Sequence, residues 1–181
     1  MKILFVIIIV VLSIIALLLL TGLFLKKEYM VTREVIVNKS KIFVFEYIKL
    51  LKNQNNYSVW AAMDPNMKKE FSGTDGTAGF VSAWDSEDKN VGKGEQEILK
   101  VTDGEKVDYK IHFIKPFESV SYASMSVIPV SDTETKIQWV FNGKMKYPMN
   151  LMLLFMNMEK MIGKDLENGL HNLKVILEKP V

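Results

Sequence analysis

Three features of this 181-residue chain predict an α+β domain, with a curved antiparallel sheet closing on one long helix, carried behind a single membrane-spanning helix. Residues 3–25 contain no charge. Residues 67–142 are short alternating apolar and polar runs broken by glycine turns, the pattern of an antiparallel meander. The carboxy-terminal segment repeats apolar side chains at spacings of three and four, which places one apolar stripe on a helix.

Residues 3–25 come first. A bilayer core about 30 Å thick needs roughly 20 apolar residues, and this segment reaches about 34 Å as a helix. Nineteen of its 23 residues are Ile, Leu, Val or Phe. Each contributes up to about 0.5 kcal/mol at the bilayer centre, so insertion is favoured by several kcal/mol. A cleaved secretory signal needs a shorter apolar core and a small-x-small cleavage site. Ala16 is the only alanine here and Gly22 the only small residue near the exit, so the segment is read as an uncleaved anchor. Lys2 on one side faces Lys26 and Lys27 on the other, so charge barely sets orientation. The reading adopted keeps the short basic tail inside and exports everything after Lys26.

The remaining chain, residues 29–181, carries 20 basic and 20 acidic side chains. Such balance, without a Lys/Arg block interleaved with aromatics, leaves no electrostatic footprint for nucleic acid. Its length suits one domain with a real core. The absence of cysteine excludes disulfides, thiol nucleophiles and thiolate metal sites.

Each element then follows in order. Residues 29–37 are rich in β-branched side chains and alternate Val31, Arg33, Val35 and Val37 against Thr32, Glu34 and Ile36, a first strand. Ser40 is the expected N-cap of a short helix with Phe43, Val44, Tyr47, Ile48 and Leu51 on its apolar side, closed by residues 53–58. About six strands follow, separated by Gly73, Gly76, Gly79, Gly92, Gly94 and Gly104. The clearest places Val107, Tyr109, Ile111 and Phe113 on one face and Lys106, Asp108, Lys110 and His112 on the other; Ile137, Trp139 and Phe141 repeat the pattern in the last. Pro148 suits the first turn of the long helix, whose stripe runs from Leu151, Leu154, Phe155 and Met158 through Ile162, Leu166, Leu170, Leu173 and Leu177. Residues 151–156 are apolar on every side but too short for a second span, being stopped by Asn157, Glu159 and Lys160.

Several local strings, in this order, resemble the START and polyketide cyclase-like superfamily, SRPBCC. They are Val44-Phe45, Trp60 with Asp64-Pro65, Gly73-x-x-Gly76-x-x-Gly79 ahead of Trp84, Val91-Gly92-Lys93-Gly94-Glu95, Lys115-Pro116-Phe117, Trp139 with Gly143, and Gly163-Lys164-Asp165 with Gly169-Leu170. The resemblance covers residues 29–181 and implies a helix-grip fold, a curved antiparallel sheet wrapped around a long carboxy-terminal helix. It also implies a cavity between sheet and helix for a small hydrophobic ligand. It does not specify which ligand, because one fold hosts many functions.

No catalytic constellation is recognisable in the sequence. His112 shares a wet strand face with Lys110, and His171 a polar helix face with Glu167, Lys174 and Glu178, so both read as surface histidines and a poor metal site. Glu95 and Glu97 lie on one strand face and read as solvated, although such a pair can bind a cation or share a proton. The Gly73–Gly79 string lacks the spacing and helix of a phosphate-binding fingerprint and reads as turn chemistry. Asp165 reads as a helix-surface residue. Trp60, Trp84, Tyr109, Phe113, Trp139, Phe141, Phe155 and Met158 are the candidate pocket residues. Met145, Met149, Met152, Met156, Met158 and Met161 crowd one stretch, fitting either a flexible pocket mouth or a surface that touches lipid.

The expected function is a membrane-tethered binding domain for a lipid or other small hydrophobic ligand, with the bilayer as partner and with no metal or cofactor. The alternatives are a polyketide cyclase/dehydrase-like enzyme and a membrane-anchored protein-interaction module. At most roughly 14 Å of chain, residues 26–29, separates anchor from first strand, so the domain is expected to sit against the membrane.

Overall fold

Seven strands make one antiparallel sheet in the computed structural model, which describes residues 2–179. Helix α1 (Lys2–Phe24) runs into β1 (Glu28–Val37), followed by α2 (Lys41–Ile48), a 3-10 turn (Leu51–Asn56) and α3 (Val59–Met63). The meander is β2 (Lys68–Ser72), β3 (Val81–Asp85), β4 (Lys93–Thr102), β5 (Lys106–Lys115), β6 (Ser119–Pro129) and β7 (Thr135–Lys144). A second 3-10 segment (Met149–Leu154) leads into α4 (Met158–Glu178). The sheet order is β1-β7-β6-β5-β4-β3-β2, with β1 returning to pair β7 from Glu28 opposite Lys144 to Val37 opposite Thr135. Register shifts at Lys93/Gly94 and Ile98/Lys100 bend β4, because an extra residue on one strand tightens the local twist.

Alternation does what the sequence implies. Val107, Tyr109 and Ile111 of β5, Ala123, Met125 and Val127 of β6, and Ile137, Trp139 and Phe141 of β7 are buried on the concave face. Against them α4 lays Leu166, Leu170, Leu173 and Leu177, all buried, while Val44, Phe45 and Ile48 of α2 complete the core. Helix α4 crosses β1 and touches β7. Close approach is set by glycine: a Cβ at Gly169 would stand 3.1 Å from the Trp139 ring, and one at Gly163 would overlap the Arg33 guanidinium. Arg33 reaches over the helix there and pairs with Glu159 at 2.7 Å.

The Gly73–Gly79 string is a turn, with φ of +88° at Gly73, +80° at Gly76 and +86° at Gly79. Its Asp75 carboxylate accepts from the amides of Leu51 (2.7 Å), Lys52 (3.1 Å) and Gly76 (2.9 Å), so it caps the 3-10 turn at Leu51–Asn56.

Three local expectations need correction. The long helix does not begin at Pro148: residues 149–154 form the separate 3-10 segment, and α4 starts at Met158, where Asn157 Oδ1 accepts from the Lys160 amide at 2.9 Å. An N-cap starts a helix where it satisfies otherwise orphaned amides, and here it lies nine residues after Pro148. Leu151, Leu154 and Phe155 therefore leave the α4 stripe. Ser40 holds the N-cap position of α2 without a side-chain hydrogen bond; only its carbonyl accepts, from Val44 at 3.1 Å. Phe43 turns outward, 49% exposed.

The 3-10 segment packs on the end of α1. Asn150, 0% exposed, donates from Nδ2 to the carbonyl of Gly22 at 2.6 Å and more distantly to that of Leu25 at 3.4 Å. Gly22 is the one buried residue of α1, and a Cβ there would meet Leu151 Cγ at 3.1 Å and the Tyr147 ring at 3.3 Å. The Met145 amide donates to the Lys27 carbonyl at 2.8 Å, so the β1–β7 ladder continues to the foot of the helix. Helix α1 is itself long and apolar enough to cross a membrane.

Candidate functional site

The eight predicted pocket residues separate into three groups. Tyr109, Trp139 and Phe141 are core: Tyr109 Oη donates to the Ile48 carbonyl at 3.5 Å, and Trp139 meets Tyr57 edge-on at 5.9 Å. Trp60, Trp84 and Phe113 are partly buried against that core, and Trp84 stands perpendicular to Phe113 at 6.0 Å with its indole N–H donating to the Val91 carbonyl at 3.2 Å. Phe155 and Met158 lie apart from both groups, at the α1 end. Phe155 is 79% exposed there, instead of facing the space between sheet and helix.

Two concavities form at that end. One, about 590 Å³, is lined by Leu25, Lys26, Glu28 and Tyr29 on one side and by residues 153–159, including Phe155 and Met158, on the other. The second, about 520 Å³, is lined by Glu28, Tyr29, Met30, Val120, Tyr122, Asn142, Gly143 and Lys144. Tyr29 belongs to both. Its ring lies over Gly143, where any Cβ would collide with it, and its centroid is 6.2 Å from that of Phe141. Burial raises the Tyr29 hydroxyl pKa, which keeps it a neutral hydrogen-bond donor and acceptor at neutral pH. The rim carries Lys144 on Glu28 at 2.7 Å, a hydrogen-bonded pair that lowers the Glu28 carboxyl.

Sequence reasoning did not single out Tyr29 or Asn150. The available signal in the sequence was a lone amide within the otherwise apolar run of residues 149–156; the register of Tyr29 with Gly143 appears only once the first and last strands pair. Asn150 Oδ1 is buried without a hydrogen-bond partner.

The titratable groups are dispersed. His112 sits between Glu95 (3.5 Å) and Glu118 (3.3 Å), while Glu97 faces Lys110 at 4.0 Å, so the two strand glutamates each meet a different basic side chain. His171 is exposed. Asp165, on α4, is half-buried, and that burial raises its carboxyl while neighbouring Lys164 opposes the shift. Burial also drives the hydroxyls of Tyr57 and Tyr109 well above the usual phenol range. Among the described residues, no group of three or more His, Asp or Glu side chains has a geometry able to hold a metal ion.

No protein-family model matches the sequence, and no curated protein does. Solved structures match its fold. A protein from Nitrosospira multiformis superposes with a TM-score of 0.60 at 14% identity, over 83% of this chain and 97% of that one. Ara h 8.0201 gives 0.59 at 11% identity, over 83% and 97%. The di-domain ARO/CYC StfQ of the steffimycin biosynthetic pathway gives 0.63 at 8% identity; the match covers 84% of this chain and 51% of that longer one. At such identities the likeness is one of fold, and function has to be argued from the site. The seven-stranded curved sheet, the helix pair and the long terminal helix give this chain the helix-grip fold of START and polyketide cyclase-like proteins.

Proposed function

We propose that this chain is a membrane-tethered domain that binds a lipid or another small hydrophobic molecule. The observation that carries the reading is the joint between anchor and domain. The larger concavity is built partly from Leu25 and Lys26 at the foot of α1, and Tyr29 stands in its wall. An apolar molecule leaving the bilayer along α1 would meet Phe155, Met158 and Tyr29 in the wall of this concavity. The aromatic and methionine walls suit ligands of variable shape, since thioethers adapt and rings supply large apolar area.

The same joint supports retention of the anchor. Cleavage after Leu25 would remove both carbonyls that Asn150 donates to and uncover Leu151 and Tyr147. A buried amide stripped of its partners costs about 1–3 kcal/mol.

The test uses the full chain in detergent and in phospholipid nanodiscs. Native mass spectrometry is expected to find a co-purifying lipid, and a fluorescent fatty acid is expected to gain intensity on addition and lose it when Tyr29 is replaced by Ala. A chain that carries no lipid and takes up no probe would reject the reading.

A further inference from the structure

The 3-10 segment Met149–Leu154 has a depth, and the depth follows from contacts already described. If α1 spans the bilayer, as proposed above, Lys26 and Lys27 mark the interface, because ammonium groups stay with water and headgroups. Gly22 lies four residues earlier, and at 1.5 Å per residue it sits about 6 Å inside the apolar layer. Leu151 packs on Gly22 and Asn150 bonds to its carbonyl, so the 3-10 segment occupies that same level beside the helix. We infer that residues 149–155 are a second membrane element, a wedge embedded in the near leaflet with Phe155 and Leu154 in contact with acyl chains.

Four observations converge on a bilayer as the occupant of this face. Apart from Asn150 the side chains are apolar all round, which a helix lying on a globular core does not need but one wrapped by lipid does. Leu154 is 49% exposed and Phe155 79%, although the run contains no charge. Its backbone pairs locally, as an apolar medium favours: Leu151 donates to the Pro148 carbonyl, and Phe155 and Met156 both donate to that of Met152. Its one amide side chain is turned inward, 0% exposed, and it occupies carbonyls at the end of α1 that lack helical partners. The estimated depth also falls within the 5–10 Å typical of interfacial helices. Charge returns soon beyond the wedge, at Glu159 and Lys160, and the segment packs directly against α1.

The chain contains no cysteine, so single labels can be introduced without removing any. Four full-length variants would be reconstituted into vesicles of phosphatidylcholine with phosphatidylglycerol: Phe155→Cys and Leu154→Cys in the wedge, Ile9→Cys in mid-span, and Thr133→Cys in the distal β6–β7 turn. Each carries an environment-sensitive fluorophore and is challenged with lipids bearing a nitroxide at a shallow or deep position. Both wedge labels are expected to emit blue-shifted and to lose most intensity to the shallow nitroxide, the Ile9 label to the deep one, and the Thr133 label to neither. If the wedge labels resemble Thr133 while Ile9 is quenched, the wedge is refuted and the span stands. If they are blue-shifted yet untouched by either nitroxide, protein and not lipid covers the face, which also refutes the wedge. An unquenched Ile9 label overturns the span and the wedge together.

Discussion

Replacing Gly94 by alanine tests whether close backbone approach governs the curvature of this sheet. A Cβ at Gly94 would stand 2.6 Å from the His112 carbonyl oxygen and 2.6 Å from Trp84 Cζ2, about 0.8 Å inside ordinary contact. Neither neighbour yields easily. The carbonyl belongs to β5, paired along the whole of β4, and Trp84 is held by its N–H bond to Val91 and by Phe113. Overpacking of this kind costs about 1–3 kcal/mol. Alanine returns about 0.5–1 kcal/mol by restricting the unfolded chain. The midpoints of these ranges leave a net loss of about 1 kcal/mol, or about 2–4 °C in Tm for a domain of this size. Gly163→Ala is the matched contrast. There the obstacle is the mobile end of Arg33, whose exposed pair with Glu159 is worth about 0.2–1 kcal/mol, while a helical Gly→Ala change gains about 1 kcal/mol. Tryptophan emission of the full chain in detergent, followed through urea and thermal unfolding, reads both variants. Gly94→Ala as stable as the parent, or Gly163→Ala the more damaging of the two, would refute the argument.

Three further outcomes can be measured. Trp139→Ala should cost about 3–5 kcal/mol in the same urea titration, since the indole is buried between Tyr57 and α4. Tyr57 and Tyr109 should remain un-ionised in alkaline ultraviolet titration until the domain unfolds. Because their folded pKa values lie above the unfolded one, stability should fall as pH rises past about 10. Asp165 also has a folded pKa raised above its unfolded one, so its ionisation favours unfolding: the contribution is most favourable below the unfolded carboxyl pKa and is lost as pH rises through the folded value. Asp165→Asn should therefore unfold at higher urea than the parent at neutral pH, with the difference shrinking toward acid; a constant difference would discard the assignment.

The elements that were legible from sequence are those in which one face is dry and the other wet. The alternation in β5 from Val107 to Phe113 and the leucines of α4 from Leu166 to Leu177 each give a periodicity, and the uncharged run in α1 needs none. Residues 151–156 are apolar in every direction, so no period marks where α4 begins, and the break is set by the Asn157 cap and by the docking of Asn150 on α1. The candidate site divides the same way. Composition identified the aromatic supply, but Phe155 and Trp139 look alike in sequence. Only contacts between distant residues separate them: Trp139 packs on Tyr57 and Gly169, while the docking of Asn150 on Gly22 holds the segment that ends at Phe155 outside the core. Asp75 as a cap was hidden for the same reason, its partners lying 23 and 24 residues earlier.

The ladder that runs from Val37 and Thr135 down to the Met145–Lys27 bond leaves only residues 25–27 outside regular structure between anchor and sheet. A flexible linker would let the domain wander and forget how its helix lies; a stiff one makes the two a single lever. Helices tilt further as a bilayer thins. If α1 spans a bilayer, as proposed above, such a tilt would carry the sheet with it and raise or lower Phe155 and Tyr29 relative to the headgroups. On that reading bilayer thickness would be a mechanical input to the domain, one that acts without any ligand or modification.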